Sequence, residues 1–171
     1  MNTLLEELRQ ALESSIDGMS EEEMKRHPAG KWCVGEVLEH LYLTYTGTVK
    51  GFGRVLDAGK PLVGRASLRQ ALQTCTVLVF NYLPEGRKAP EMTVPKGLPP
   101  GKVIADVATQ IAVMDEIIDQ CEARFPRRKL LDHPILGPLT AKQWRKFHLI
   151  HGRHHVKQIL RLRAWTAQGR T

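Results

Sequence analysis

The sequence predicts an all-α protein whose helices pack as a bundle. Four long segments carry apolar residues three and four positions apart, which is the spacing of an amphipathic helix. Capping residues precede several of these segments, and glycine or proline follows them. No segment has a persuasive hairpin pattern, so we expect no β-hairpin. A chain of 171 residues is long enough to bury one core, and we expect a single domain over residues 1–171.

The first half of the chain contains two of the long helices. The first is an amphipathic helix from about Thr3 to Ser15. The segment Ser20–Glu23 has the pattern of a capping box, which predicts a short extra helix. The second long helix runs from about Lys31 to Ala58 and ends at the stop signal Gly59–Pro61.

The second half alternates helices with loops. A helix is predicted from about Ser67 to Tyr82, although its β-branched residues disfavour it. Residues 84–101 hold five of the ten prolines and are expected to form a long loop. Helix resumes from about Val103 to Phe125, and residues 133–139 are expected to form a turn. Thr140 then caps the last helix, which runs to about Ala167.

The composition is that of an ordinary globular protein, with 42% hydrophobic and 25% charged residues. No apolar run approaches the ~20 residues of a membrane span, so we expect no membrane partner. The first residues lack the basic and apolar regions of a secretory signal. Three widely spaced cysteines, an odd number, are typical of free thiols in a reducing compartment. We therefore expect a cytoplasmic protein.

The formal net charge of +7 is compatible with nucleic-acid binding. Much of the excess lies in two clusters, one around residues 124–129 and the other near the C-terminus. No DNA- or RNA-binding motif accompanies them, and basic residues in the last turn of a helix also complement its dipole. We therefore expect no nucleic-acid partner, and infer only a weak general attraction for anionic ligands.

The last predicted helix holds the main candidate site, because four of the seven histidines lie between His148 and His155. His151 and His155 are four residues apart, so a helix places their imidazoles on one face, within reach of one divalent metal. A helical projection puts both in the middle of the apolar stripe, and His40 has the same position on the second long helix.

These three histidines predict a metal site shared by two helices. Burying three imidazoles in one core is costly unless each has a partner, and one metal ion satisfies all three. Three neutral imidazoles with an open fourth position are typical of a catalytic site, and such ligands suit zinc, nickel or iron. The alternative is a set of ordinary core histidines, and His148 with His151 offers a competing pair.

Several neighbours are expected to complete the site. Gln158, one turn past His155, is either a hydrogen-bonding partner that orients this ligand or a buried polar cap. His148 borders the same stripe and is expected to support the ligands from behind. The inward positions beyond His40 are small, which leaves room for water or a ligand or else permits close helix approach. These positions are Thr44, Gly47, Thr48 and Gly51.

Two of these motifs resemble signatures of the DinB/YfiT-like family. The segment Trp32–Leu41 resembles the W-x-x-x-E-x-x-x-H-L opening of that family's second helix. The segment His151–Gln158 resembles its terminal H-x-x-H-H-x-x-Q signature. The stretch from His133 to Trp144 looks like the segment before the terminal helix in one subgroup. Together these matches span most of the chain in the right order.

The resemblance implies a four-helix bundle with up-down-down-up connectivity, commonly dimeric. It also implies that His40, His151 and His155 hold a divalent metal whose fourth position is open to water or substrate. Characterised relatives include transferases and isomerases in which a low-molecular-weight thiol binds the metal as thiolate. Many members carry Arg-Gly where this chain has Val156-Lys157, and residues 67–101 are longer than the minimal bundle needs. Both departures bear on the substrate.

The sequence therefore favours a metal-dependent transferase, isomerase or hydrolase that acts on a small molecule. Of the two acidic residues close to His40 in sequence, Glu36 is a better candidate for a general base than Glu39. The alternative is a non-catalytic metal- or ligand-binding bundle in which the metal mainly stabilises the fold.

A second apolar stripe lies on the opposite face of the last helix. Such a stripe on the back of a terminal helix often marks a subunit interface, so we expect a homodimer. The stripe consists of Leu149, Val156 and Leu160.

Overall fold

The computed structural model describes residues 3–84, Gly86 and residues 88–168, and this part of the chain is mostly helical. It has six α-helices and two short strands, and none of these helices is long and apolar enough to cross a membrane. The helices are Thr3–Ile16 (α1), Glu21–Lys25 (α2), Val34–Ala58 (α3), Leu68–Leu78 (α4), Pro100–Arg124 (α5) and Ala141–Gln168 (α6). The strands are Lys129–His133 (β1) and Gly137–Thr140 (β2). The mostly helical character predicted from the sequence is confirmed.

Local capping decides where α2 and α3 begin. The Ser20 side chain accepts a hydrogen bond from the Glu23 amide, and the Glu23 carboxylate accepts one from the Ser20 amide, which confirms the predicted capping box. The helix α3 begins at Val34, three residues later than predicted, because Cys33 and Glu36 form a second capping box. It ends as predicted at Gly59, whose φ of 63° is left-handed.

The prediction that the chain has no β-hairpin was wrong. Strands β1 and β2 pair in antiparallel fashion, with Leu131 opposite Leu139 and His133 opposite Gly137. The turn lacks an Asn-Gly or Asp-Gly signal; instead, the Nδ1 atom of His133 accepts hydrogen bonds from the amides of Ile135 and Leu136, each at 3.1 Å. The His133 side chain therefore accepts the backbone hydrogen bonds that an Asn or Asp side chain usually accepts in a turn.

The hairpin is wedged between α3 and α6. The Trp144 indole on α6 donates a hydrogen bond to the Leu131 carbonyl at 3.1 Å. On the other side, a Cβ atom added at Gly51 of α3 would lie only 2.5 Å from a Leu131 methyl carbon. The hairpin therefore fixes the spacing of the two helices that carry the candidate histidines.

The helix α1 covers the back of α6. A Cβ atom added at Gly152 would lie 2.5 Å from a methyl carbon of Leu8, so the two helices approach closely at this glycine. On the same face, Leu149 is buried and Val156 is half-buried against the core, whereas Leu160 is exposed. The stripe that suggested a dimer interface is thus largely an intramolecular surface, and the homodimer stays a prediction.

The described residues of the proline-rich segment between α4 and α5 form a loop, as predicted. They include the 3₁₀ turn Glu91–Thr93, which packs on α3. The helix α4 ends at Leu78, four residues before the predicted end. The helix α5 starts at Pro100, three residues before the predicted start. Proline is well tolerated in the first turn of a helix, so Pro100 does not prevent this earlier start.

The hairpin turn predicts a pH-dependent stability. Burial lowers the pKa of His133 to about 4, whereas the unfolded chain titrates near 6.5. Below pH 6.5 the His133 side chain is protonated in the unfolded state but stays neutral in the folded state until the pH nears 4. The free energy of unfolding therefore falls as the pH falls towards 4. We expect His133 to contribute a loss of about 2 kcal/mol between pH 7 and pH 5, measured by chemical denaturation.

The matched variant for this prediction is His133→Asn, which keeps a hydrogen-bond acceptor in the turn but does not titrate. Its absolute stability is expected to be lower, because asparagine fills less of the space beside Trp144 and Phe147. The slope of its stability against pH is the informative quantity, and an unchanged slope would contradict the assignment.

Candidate metal centre

Three imidazoles from two helices meet inside the protein. His40 comes from α3, and His151 and His155 come from successive turns of α6. The Nε2 atom of His151 lies 3.2 Å from that of His40 and 3.1 Å from that of His155. All three residues are buried, with exposed fractions of 4–8%. The structure therefore brings together the three histidines that the sequence analysis singled out.

The outer hydrogen bonds determine the tautomers of two of these rings. The Nδ1 atom of His40 lies 2.8 Å from the Thr93 carbonyl oxygen, and that of His155 lies 2.9 Å from Oε1 of Gln158. A carbonyl or amide oxygen only accepts, so both Nδ1 atoms carry the proton. In a neutral ring, Nε2 then holds a lone pair, and both lone pairs point towards His151.

His151 is unable to satisfy both neighbours. If its Nε2 carries a proton, it donates to only one of the two lone pairs; if its Nδ1 carries the proton, it donates to neither. Its Nδ1 is buried and has no hydrogen-bond partner among the described residues. At least one buried lone pair is therefore left uncompensated, which is an expensive arrangement for side chains alone.

A divalent cation fits this arrangement. One ligand atom from each histidine lies within 4.8 Å of the other two. Nitrogens about 2.0–2.1 Å from a tetrahedral zinc are separated by about 3.3 Å, close to the two distances between Nε2 atoms given above. The hydrogen bonds on Nδ1 of His40 and His155 are also those that metal-bound histidines usually make.

Burial keeps the three rings neutral. Desolvation is the main cause of a lowered pKa at each, and for His155 the pKa falls to about 3. The neighbouring imidazoles lower the pKa values of His151 and His155 further, because a second positive charge in the cluster is unfavourable. At neutral pH the rings are thus in the form in which histidine binds metals.

The proline-rich loop holds His40 in place through a residue that the sequence analysis set aside. Glu39 is almost completely buried, and its carboxylate accepts hydrogen bonds from the amides of Lys96, Gly97 and Leu98 at 2.7–3.0 Å. The same loop contributes the Thr93 carbonyl that binds His40. In the sequence, the signal for this role is an acidic residue directly before a candidate ligand. Its hydrogen-bond donors lie more than fifty residues away, so the sequence alone does not identify them.

Glu36 is not placed to act as a general base. Its carboxylate accepts a hydrogen bond from the Cys33 amide at 2.7 Å and completes the capping box of α3. It is not among the residues that line the cavity described below. Glu36, the general-base candidate of the sequence analysis, is thus the acidic member of a capping box, a pattern that local sequence also encodes.

Of the two supporting residues, Gln158 contacts a member of the cluster directly, through Nδ1 of His155. His148 does not join the three rings. Its Nε2 lies 3.0 Å from the Thr48 hydroxyl, and burial lowers its pKa to about 3. It packs beneath the cluster, among the aromatic rings of Tyr45, Trp144 and Phe147.

A cavity of about 1390 Å³ adjoins the three histidines and is lined by all of them. The four small residues of α3, at positions 44, 47, 48 and 51, also line it. Gly47 faces open space, since a Cβ atom there would contact nothing within 4 Å. Gly51 instead allows the close approach of Leu131. Gly47 therefore agrees with the explanation that the small residues leave room for a ligand, whereas the close approach at Gly51 involves a strand and not the helix that was expected.

We predict that Glu39→Gln loosens the loop that holds His40. The amide retains one acceptor oxygen but turns an NH₂ group towards peptide N–H donors, so at least one of the three hydrogen bonds is lost. The expected cost is about 1–3 kcal/mol of stability, with faster hydrogen exchange at the amides of residues 96–98.

Glu36→Gln is the matched control, because it removes a carboxylate on the same helix that accepts one hydrogen bond at the helix end. It should leave exchange at residues 96–98 unchanged. Equal exchange rates in the two variants would show that Glu39 does not anchor the loop.

The comparisons with known proteins return one match. Neither the curated proteins nor the solved structures contain a significant match to this chain. Residues 3–161 match the family described as "Protein of unknown function (DUF1569)", and this range includes all three histidines of the cluster. Because the match covers most of the chain, the protein belongs to the DUF1569 family.

Proposed function

We propose that His40, His151 and His155 bind one divalent cation, and that the protein is a metal-dependent enzyme acting on a small molecule. The observation that carries this proposal is the convergence of three Nε2 atoms, two of which have their lone pairs directed inwards by outer hydrogen bonds. The all-imidazole donor set suits zinc, nickel or iron.

The reaction classes that fit are group transfer, isomerisation and hydrolysis. When bound, such a cation lowers the pKa of a thiol or water that ligates it, which yields a nucleophile at neutral pH. The chain itself binds and orients: the Thr93 carbonyl and Gln158 hold two imidazoles in the tautomer that binds a cation. The adjoining cavity gives a small substrate access to the cluster.

The resemblance to the DinB/YfiT-like family supports a more specific form of this proposal. In this form α1, α3, α5 and α6 are the four helices of an up-down-down-up bundle. A low-molecular-weight thiol is the co-substrate, and the protein is a cytoplasmic homodimer. The quoted motifs support this form, since they include all three histidines and Gln158.

The first test is metal binding by the purified protein and its single histidine variants. We expect about one zinc, nickel or iron ion per chain, and at least ~tenfold weaker binding in each of His40→Ala, His151→Ala and His155→Ala. Metal analysis and calorimetric titration measure the two quantities. His27→Ala is the control, because His27 is exposed, offers no ligand atom to the cluster and does not line the cavity. Full metal content in all three variants would refute the site.

The second test separates catalysis from a structural role. We expect the metal-loaded protein to transfer common cellular thiols to an activated aryl halide, and chelation to abolish the turnover. A non-catalytic bundle would instead lose melting temperature on chelation and show no turnover with or without metal. His155→Ala should lose the turnover while His27→Ala keeps it.

A further inference from the structure

The charge of the cavity wall has one predominant sign. Among the described residues that line the cavity, six carry a cationic side chain and one carries a carboxylate. The whole chain is much closer to balance, with 25 Lys and Arg against 18 Asp and Glu. The cationic residues are Lys31, Lys50, Arg54, Lys88, Lys96 and Arg161, and we call them the cationic rim.

The one acidic residue in the cavity wall has a structural partner. Asp132 is on β1, and its Oδ2 accepts a hydrogen bond from the Gly64 amide at 2.8 Å. By contrast, none of Lys31, Lys50 and Lys96 forms an ion pair with a described residue. Their ammonium groups are therefore available to a ligand, and the carboxylate of Glu39 beside Lys96 is bound to backbone amides instead of to the ammonium group.

Two members of the rim lie at the end of the cavity where His40 is. The backbone amide of Lys96 is bound to the carboxylate of Glu39, the residue just before His40. Lys31 precedes Trp32, whose ring centre lies 5.2 Å from that of His40. Lys50 and Arg54 follow His40 on α3 by ten and fourteen residues, or about 15 and 21 Å along the helix axis. Cationic groups are thus present both near the histidines and farther along the cavity.

We propose that the substrate of this site is a small anion, which carries a carboxylate or phosphate group that Lys31 and Lys96 recognise while its reacting group lies beside the three histidines. This inference rests on the proposed function for the position of the reacting group. A cleft lined by one sign of charge concentrates ligands of the opposite sign.

The burial of the histidines favours a small molecule over a polynucleotide. The cavity volume of about 1390 Å³ exceeds the ~300–1,000 Å³ of typical small-ligand pockets, so it has room for a small molecule beside the cluster. The histidine cluster is buried, whereas a nucleic-acid backbone would contact exposed cationic groups over an extended surface.

The test on the metal-loaded protein compares an anionic thiol with a neutral one. We expect calorimetry of the zinc-loaded chain to show mercaptosuccinate binding at least ~tenfold more tightly than thioglycerol. The double variant Lys31→Met/Lys96→Met should lose this advantage and keep its affinity for thioglycerol. Lys157→Met is the matched control, since Lys157 is exposed on α6 and does not line the cavity.

A second arm uses the metal-free protein, so that failure of the metal proposal is distinguishable from failure of this one. Succinate and inorganic phosphate should bind the metal-free chain, more weakly at higher salt and in the double variant. Preference for one of the two identifies the anionic group. Equal affinity of the wild type for mercaptosuccinate and thioglycerol would overturn the inference, and so would tight, salt-sensitive binding of a single-stranded oligonucleotide that these anions do not displace.

Discussion

The arrangement of this protein depends on three neutral imidazoles that share one point between two helices. Two of the rings have their protons held on the outer nitrogen, so their lone pairs face inwards. The third ring, His151, lies between them and is unable to donate to both. Side chains alone leave this cluster unsatisfied, and a shared cation would satisfy all three rings. The tautomers are therefore a stronger argument for a metal site than the proximity of the rings.

The hairpin and the proline-rich loop hold parts of this cluster in position. The hairpin separates α3 from α6 through Leu131, which contacts Gly51 and accepts a hydrogen bond from Trp144. The proline-rich loop is held against α3 by Glu39 and returns a carbonyl to His40. Both segments also line the cavity. Positions that interrupt the helical pattern thus provide part of the cavity wall and the hydrogen bond that orients His40.

The electrostatics of the site has two layers. The three ligand rings are neutral, because burial lowers the pKa values of the histidines and favours lone pairs over protons. The cationic rim adds positive charge to the wall of the adjoining cavity. A neutral donor set suits a cation, while the rim suits an anion, so the two layers together are suited to an anionic molecule that ligates a metal.

The sequence by itself determined the long helices, the capping box that begins at Ser20 and the face of each helix that holds a histidine, because these features depend on neighbours within four residues. The spacing of His151 and His155, with His40 on a second apolar face, was enough to identify the cluster. The tertiary structure alone decided the roles of Glu39 and of His133. The acceptor Glu39 meets donors 57–59 residues away, and the hairpin is closed by a side chain in place of a recognised turn dipeptide. Such contacts follow from how the helices pack, and no local periodicity encodes them.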